Sequence, residues 1–226
     1  MIAAIQNYEN VEVEKPWGYE YLMYGNRDAA LWFLYLKPGA STSLHCHPRK
    51  KTGLVLLSGE AEISFLNDST HLKALNRVII RPGLFHSTKA TSPEGIVLLE
   101  IETPRDKENL VRLEDTYGRK AQPYEGGDHV RPLPADRLVL QAPDEEQETL
   151  HTLAGCQLSV LRTNHPERIE DHDDSHIFVI LEGGLFSREG EPILSVGDVV
   201  NPRTWHRLAS NFSIPNGIVL LTISRP

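Results

Sequence analysis

Two groups of residues in this chain have the chemistry to hold a metal ion. The first is His45-Cys46-His47, joined by His86 after the turn signal Pro82-Gly83. Alternate side chains of a strand share a face, so His45 and His47 can meet one ion while Cys46 points away as a packed apolar residue. His86 can then come from the neighbouring strand. Three neutral imidazoles suit Zn, Fe, Mn, Ni or Cu and leave coordination positions open for substrate or water. The second group is Glu170, His172, His176 and His206, three imidazoles and one carboxylate. Asp171, Asp173 and Asp174 surround it with negative charge, as orienting partners or as loop solvation.

The elements that must position these residues occur twice. The first copy runs His45-Cys-His47, Gly53-Leu-Val-Leu-Leu-Ser-Gly59, Arg81-Pro-Gly-Leu-Phe-His86 and Gly95-Ile-Val-Leu-Leu99. The second runs His172 to His176, Ile177-Phe-Val-Ile-Leu-Glu-Gly183, Asn201-Pro-Arg-Thr-Trp-His206 and Gly217-Ile-Val-Leu-Leu221. Aligning Gly183 with Gly59 matches His206 to His86. A repeat of this kind predicts two similar β modules. The apolar runs are short, rich in β-branched and aromatic residues, and bounded by glycine and proline. Leu31–Leu36, Gly53–Leu57, Ala61–Phe65, Arg77–Ile80 and Ile96–Ile101 read as strands. So do Leu153–Leu161, Ile177–Leu181, Gly184–Phe186, Asp198–Val200 and Ile218–Ile223. No long 3.6-residue periodicity stands out, so the class is all-β, sandwich or barrel. Residues 121–149 hold Gly126-Gly127, four prolines counting Pro123, and the acidic run Asp144–Glu148, and read as a linker with one short strand at Arg137–Leu140. The division expected is a first domain 1–120, a linker 121–149 and a second domain 150–226.

Composition excludes several partners. A net charge of -8 argues against a nucleic-acid or anionic-membrane surface, although local Arg and Lys can still form a basic pocket. No apolar run reaches the ~18 residues of a membrane span. The N-terminus lacks the pattern of a signal peptide, so a cytoplasmic protein with both cysteines reduced is expected. Cys46 and Cys156 lie one in each half, which disfavours a disulfide.

These motifs resemble the cupins. The first cupin motif, Gly, five residues, His-x-His, then a Glu and a closing Gly, is matched by Gly39, His45, His47, Thr52 and Gly59, with Thr52 in the carboxylate position. The second is matched by Gly83-Leu-Phe-His86. The resemblance implies two tandem cupin (jelly-roll) β-barrels joined by a Pro/Gly/acidic linker. It also implies a divalent transition metal as cofactor and, since cupins often pair through edge strands, a homodimer. Glu14 to Lys120 further resembles the type II mannose-6-phosphate isomerase domain that also occurs fused to mannose-1-phosphate guanylyltransferases. The matching stretches are Lys15-Pro-Trp-Gly-Tyr-Glu20, Leu36-Lys-Pro-Gly39, Ser43–His47, Val55–Gly59 and Leu110-Val-Arg-Leu-Glu-Asp-Thr-Tyr-Gly-Arg119. The family's ligand histidines carry over to His45, His47 and His86, and its Glu falls on Thr52. Arg49, Lys50, Lys51 and Arg119 are candidates to hold a phosphate through charge-assisted hydrogen bonds.

The expected function is a metal-dependent isomerase or epimerase of a sugar or sugar phosphate, with metal polarising a carbonyl while a base moves a proton. Lys51 is a candidate base in the first site. In the second, Glu170 is either ligand or base, and Trp205 is a candidate wall of a sugar-sized pocket. Two alternatives use the same residues: a three-His non-haem iron dioxygenase, which Thr52 favours, and a non-catalytic sugar-binding bicupin.

Overall fold

β10 shows how these sequences become structure. In Ile96-Val-Leu-Leu-Glu-Ile-Glu-Thr103 the even-numbered residues face one side of the sheet: Ile96 and Leu98 enter the core, and Glu100 and Glu102 follow them on the same face. Its odd-numbered Leu99 and Ile101 are buried as well. A strand covered on both faces reads as an unbroken apolar run rather than as an alternation.

The computed structural model describes residues 8–120, 122, 124, 127–169 and 175–226. The chain divides into two units, Met1–Val139 and Leu140–Pro226. The strands of the first unit are β1 (Val11–Lys15), β2 (Gly18–Gly25), β3 (Ala30–Leu36), β4 (Leu44–Cys46), β5 (Lys51–Ser58), β6 (Glu60–Phe65), β7 (Ser69–Lys73), β8 (Arg77–Ile80), β9 (His86–Ala90), β10 (Ile96–Thr103), β11 (Val111–Glu114) and β12 (Val130–Pro132). They form a sheet of order β12-β1-β2-β3-β10-β5-β8 and a second of order β11-β4-β9-β6-β7, with antiparallel pairing throughout. One apolar cluster takes Trp32, Leu34, Leu54 and Leu98 from the first sheet and Ala61, Ile63, Leu72 and Ala90 from the second, so the two sheets close over a common core.

The second unit contains β13 (Glu148–Leu153), β14 (Cys156–Thr163), β15 (Ile177–Phe186), β16 (Pro192–Ser195), β17 (Val199–Val200), helix α1 (Pro202–Ala209) and β18 (Ile218–Ser224). Its sheet runs β13-β14-β18-β15-β16, with β17 also on β15. The repeat is visible in matching glycine pairs. A Cβ on Gly59 would lie 2.6 Å from the carbonyl oxygen of Gly95, and one on Gly183 would lie 2.1 Å from that of Gly217. In each unit the glycine backbone presses against the entry to the neighbouring strand, and only glycine fits.

Four local expectations are corrected. Arg137–Leu140 forms no strand; the Arg137 side chain instead reaches the buried Glu12, Nε to Oε2 2.9 Å. The strand of this region is β12, whose register runs from Val11↔Pro132 to Val13↔Val130. β12 lies at the sheet edge, where a proline is tolerated. The two compact units divide after Val139, within residues 121–149. Gly184–Phe186 is not a separate strand but the end of β15, and Leu153–Leu161 is divided between β13 and β14 by a turn at Ala154-Gly155. Finally, the segment carrying His206 is a helix. Asn201 caps it by accepting from the Thr204 N–H at 2.8 Å, and Pro202 occupies its first turn, a pairing that starts helices rather than strands.

Outside the candidate site, the second unit has an acid-sensitive clip. Glu146 accepts from the Asn164 N–H (2.9 Å), the Thr163 hydroxyl (2.8 Å) and Arg168 Nη1 (2.7 Å). The backbone N–H of Asn164, then Thr163 and Arg168, outweigh the opposing desolvation and hold its carboxyl at about 2, against an ordinary 4.5. A depressed carboxyl contributes stability above its unfolded value and loses it as pH falls from about 4.5 towards 2. Glu146→Gln should therefore lower the urea midpoint at pH 7 and flatten its pH dependence in that window. Identical slopes for the two proteins would refute this.

Candidate metal centre

β4 and β9 pair at one position, with His45 directly opposite His86, and His47 follows β4 by one residue. The three rings sit with centroids 4.4 Å (His45–His86), 5.0 Å (His45–His47) and 5.6 Å (His47–His86) apart. One donor atom from each lies within 4.8 Å of the other two. Each ring is oriented in the same way. His45 Nδ1 meets the Ser43 carbonyl at 2.8 Å, His47 Nδ1 the Asn109 carbonyl at 2.7 Å and His86 Nδ1 the Leu84 carbonyl at 3.0 Å. A carbonyl oxygen can only accept, so each Nδ1 carries the proton and each Nε2 presents a lone pair. Burial pushes His45 well below the usual imidazole range and His86 below it, and the neighbouring imidazoles act in the same direction. The neutral ring is the form that ligates metal.

Two carboxylates face this cluster from β10. His47 Nε2 lies 3.7 Å from Glu100 Oε1 and 3.9 Å from Glu102 Oε1. Burial would raise both carboxyls, but both are held below the usual range: Glu100 by His47 and Lys107, Glu102 by Lys107 and Lys50. Lys50 Nζ contacts Glu102 Oε1 at 2.6 Å with both side chains buried. Lys107 lies 3.1 Å from Glu20 and 3.6 Å above the Trp32 ring. Lys15 lies 3.5 Å from the same Glu20 and 3.6 Å above the Tyr124 ring. Asn109 links the segments: its carbonyl orients His47, and its Oδ1 accepts from the Arg49 N–H at 2.9 Å. His45, His47, Glu100, Glu102, Lys107, Lys15 and Glu20 border a pocket whose wall also includes Arg112, Arg119, Trp17 and Leu34.

The donor set fits a divalent transition cation. His47 Nε2 is a buried polar atom without a hydrogen-bond partner, a costly arrangement unless a cation satisfies it, and Glu102 Oε2 is buried without a partner beside it. Thr52 is fully buried on the inward face of β5, with its hydroxyl also unpartnered, and stands opposite Glu102 in the β5–β10 pairing.

The other expected site residues are dispersed. Arg119 lines the pocket and is anchored to Asp115 (Nη2 to Oδ1 2.6 Å). Arg49 points outward, 72% exposed, and pairs with Asp106 at 3.1 Å, so it does not line the pocket. Lys51 adjoins the inward-facing Thr52 on β5 and so faces the opposite side of the sheet, away from the imidazoles. Lys50, expected near a phosphate, is spent on Glu102. In the second unit Trp205 is buried in the apolar cluster with Phe178 and does not line the pocket bordered by Glu148, Arg168 and Thr222. His206 sits half-buried on α1, and His176 just precedes β15. Glu170 and His172 lie outside the described residues, and among the described ones no three donors converge in this unit. Sequence reading missed Glu100, Glu102, Lys107 and Asn109. The first two carried a signal: they occupy the core-facing parity of an otherwise apolar strand.

Two antiparallel sheets over one core, with three imidazoles facing inward and two carboxylates of β10 beside His47, give the first unit a double-stranded β-helix architecture. The chain is similar to the xanthan biosynthesis protein XanB of Xanthomonas campestris, 30% identical over 111 residues, covering 48% of this chain and 24% of that protein. It is also similar to the alginate biosynthesis protein AlgA of Pseudomonas putida, 26% identical over 132 residues, covering 57% and 27%. The chain thus spans about a quarter of the length of the curated relatives it matches. Among solved structures it is similar to a double-stranded β-helix protein from Klebsiella pneumoniae (TM-score 0.40, 25% identity, 42% of this chain and 84% of that one). Another is the capsular polysaccharide assembling protein CapF from Staphylococcus aureus (TM-score 0.42, 19% identity, 46% and 34%). No known family profile matches the chain.

Proposed function

We propose that this protein is a metal-dependent cupin enzyme of the cytoplasm. It isomerises or epimerises a sugar or sugar phosphate of surface-polysaccharide or nucleotide-sugar metabolism, with the chemistry in the first unit. The observation that carries the reading is the convergence of His45, His47 and His86, each with its Nδ1 proton tied to a main-chain carbonyl. The relatives named for xanthan and alginate biosynthesis support the substrate class. A divalent ion held there would polarise a substrate carbonyl and acidify the adjacent C–H. Arg112 and Arg119 on the pocket wall hold the anionic end of the substrate. Trp17 and Leu34 exclude water around it. Glu102, fixed through Oε1 by Lys50, has Oε2 left to accept and return the proton. The two carboxylates beside the imidazoles weigh against a pure three-His oxygenase centre. Protein loaded in turn with Zn, Mn, Fe or Ni and incubated with hexose 6-phosphates in D₂O should place solvent deuterium on the carbon next to the carbonyl, read by NMR. Absence of exchange with every metal would sink the proposal.

A further inference from the structure

We propose that the carboxylate ligand of this centre has moved one strand over, from the Thr52 position on β5 to Glu100 on β10, while Glu102 stays outside the coordination sphere. This rests on the metal-binding reading above. The pairing of β5 with β10 makes the transfer possible. Thr52 stands opposite Glu102 and Leu54 opposite Glu100, so all four side chains share the inward face. Adjacent strands are only about 4.8 Å apart, so a long carboxylate on β10 reaches the volume that a side chain on β5 would enter. The threonine hydroxyl at 52 is short and a poor ligand for a divalent ion, and its buried oxygen meets no partner.

Direct contacts separate the two glutamates. Lys50 neutralises Glu102 at 2.6 Å. Within 4 Å, Glu100 faces His47 Nε2 and, among the described residues, no lysine or arginine. The Asn109 carbonyl fixes the His47 proton on Nδ1, so the Nε2 lone pair and the Glu100 carboxylate confront each other at 3.7 Å. Two acceptors so placed in a buried site repel unless a proton or a metal cation lies between them. A cation there converts the repulsion into coordination by both. The resulting donor set of three neutral imidazoles and one carboxylate has the composition that Thr52 denies to β5.

Co²⁺ titration of the full chain tests this, with visible absorption reporting coordination and metal analysis after desalting reporting stoichiometry. Wild-type protein should take about one equivalent at this centre, and His47→Ala should lose it. Glu100→Gln should weaken Co²⁺ binding by about tenfold or more and change the d–d bands. Glu102→Gln should leave the bands in place and the affinity within a few-fold of wild type. Glu100→Asp, which keeps the charge, should recover part of the affinity and guards against a folding defect in the Gln variant. If Glu100→Gln binds with wild-type affinity and spectrum, or if Glu102→Gln takes the loss instead, the assignment is wrong while the three-imidazole site stands. If His47→Ala also binds as wild type does, the metal-binding reading itself fails.

Discussion

Replacing His45 with alanine is expected to remove about one equivalent of divalent metal from the purified protein and to abolish deuterium exchange. His45 stands directly opposite His86 in the β4–β9 pair, and their rings are the closest of the three. Deleting it takes away a nitrogen donor that no neighbour can supply, because the other two rings are fixed by their own carbonyls. The loss in affinity should exceed the 10- to 100-fold typical of disturbing an orienting partner. The fold should survive, since the variant relieves a crowded set of buried nitrogens. Elemental analysis after dialysis, with circular dichroism as the control for folding, is the measurement; an unchanged metal content would remove His45 from the site. The same analysis of His206→Ala tests the second cluster. Loss of a further equivalent would assign a second ion to Glu170, His172, His176 and His206. An unchanged count would confine metal to the first unit.

Lys107→Met is expected to be the most destabilising single change at the site. Lys107 is held by Glu20 at 3.1 Å and lies above the Trp32 ring, with its side chain 12% exposed. Its pKa is raised: burial opposes the charge, and Glu20, Glu102 and Glu100 together outweigh that burial. Methionine keeps the volume but leaves these carboxylates undercompensated. Breaking such a buried arrangement costs about 3 kcal/mol or more. For a protein of this size that lowers Tm by on the order of 10 °C. Adding Glu20→Gln should restore part of the loss, because the two changes act on one network. Bound metal should narrow the gap, since it neutralises carboxylate charge. Strictly additive effects in the double variant would show that Lys107 acts through packing alone.

Much of this was legible in the residues. His-x-His at 45 and 47 on a strand, with His86 beyond a Pro-Gly turn, describes the observed convergence, because strand parity and pairing are local and periodic. The apolar runs located β3, β5, β6, β8 and β10 closely. What could not be read is lateral. Nothing in the spacing of Thr52 and Glu102 says that they stand opposite each other; that depends on which strands pair and in what register. The same holds for Lys50 and Lys107, which look like surface lysines in sequence and become buried counter-ions once β10 lies beside β5. Arg49 and Lys51 lie away from the imidazoles for the complementary reason: one sits where the chain turns outward, and the other has the opposite parity to Thr52. The helix at Pro202–Ala209 was legible through Asn201-Pro202, but matching His206 to His86 by repeat concealed it. Repeat alignment transfers position and not local geometry.

The three carbonyls that hold His45, His47 and His86 belong to the main chain, and this makes the centre tolerant of sequence drift. An orienting aspartate can be lost by a single base change, whereas a carbonyl oxygen is present whichever residue occupies Ser43, Leu84 or Asn109. The directions of the three lone pairs are thus inherited with the path of the backbone. The fourth position is free to change from one strand to another without disturbing them. A lineage could alter its metal preference or its reaction at this centre while the aim of the imidazoles stays constant.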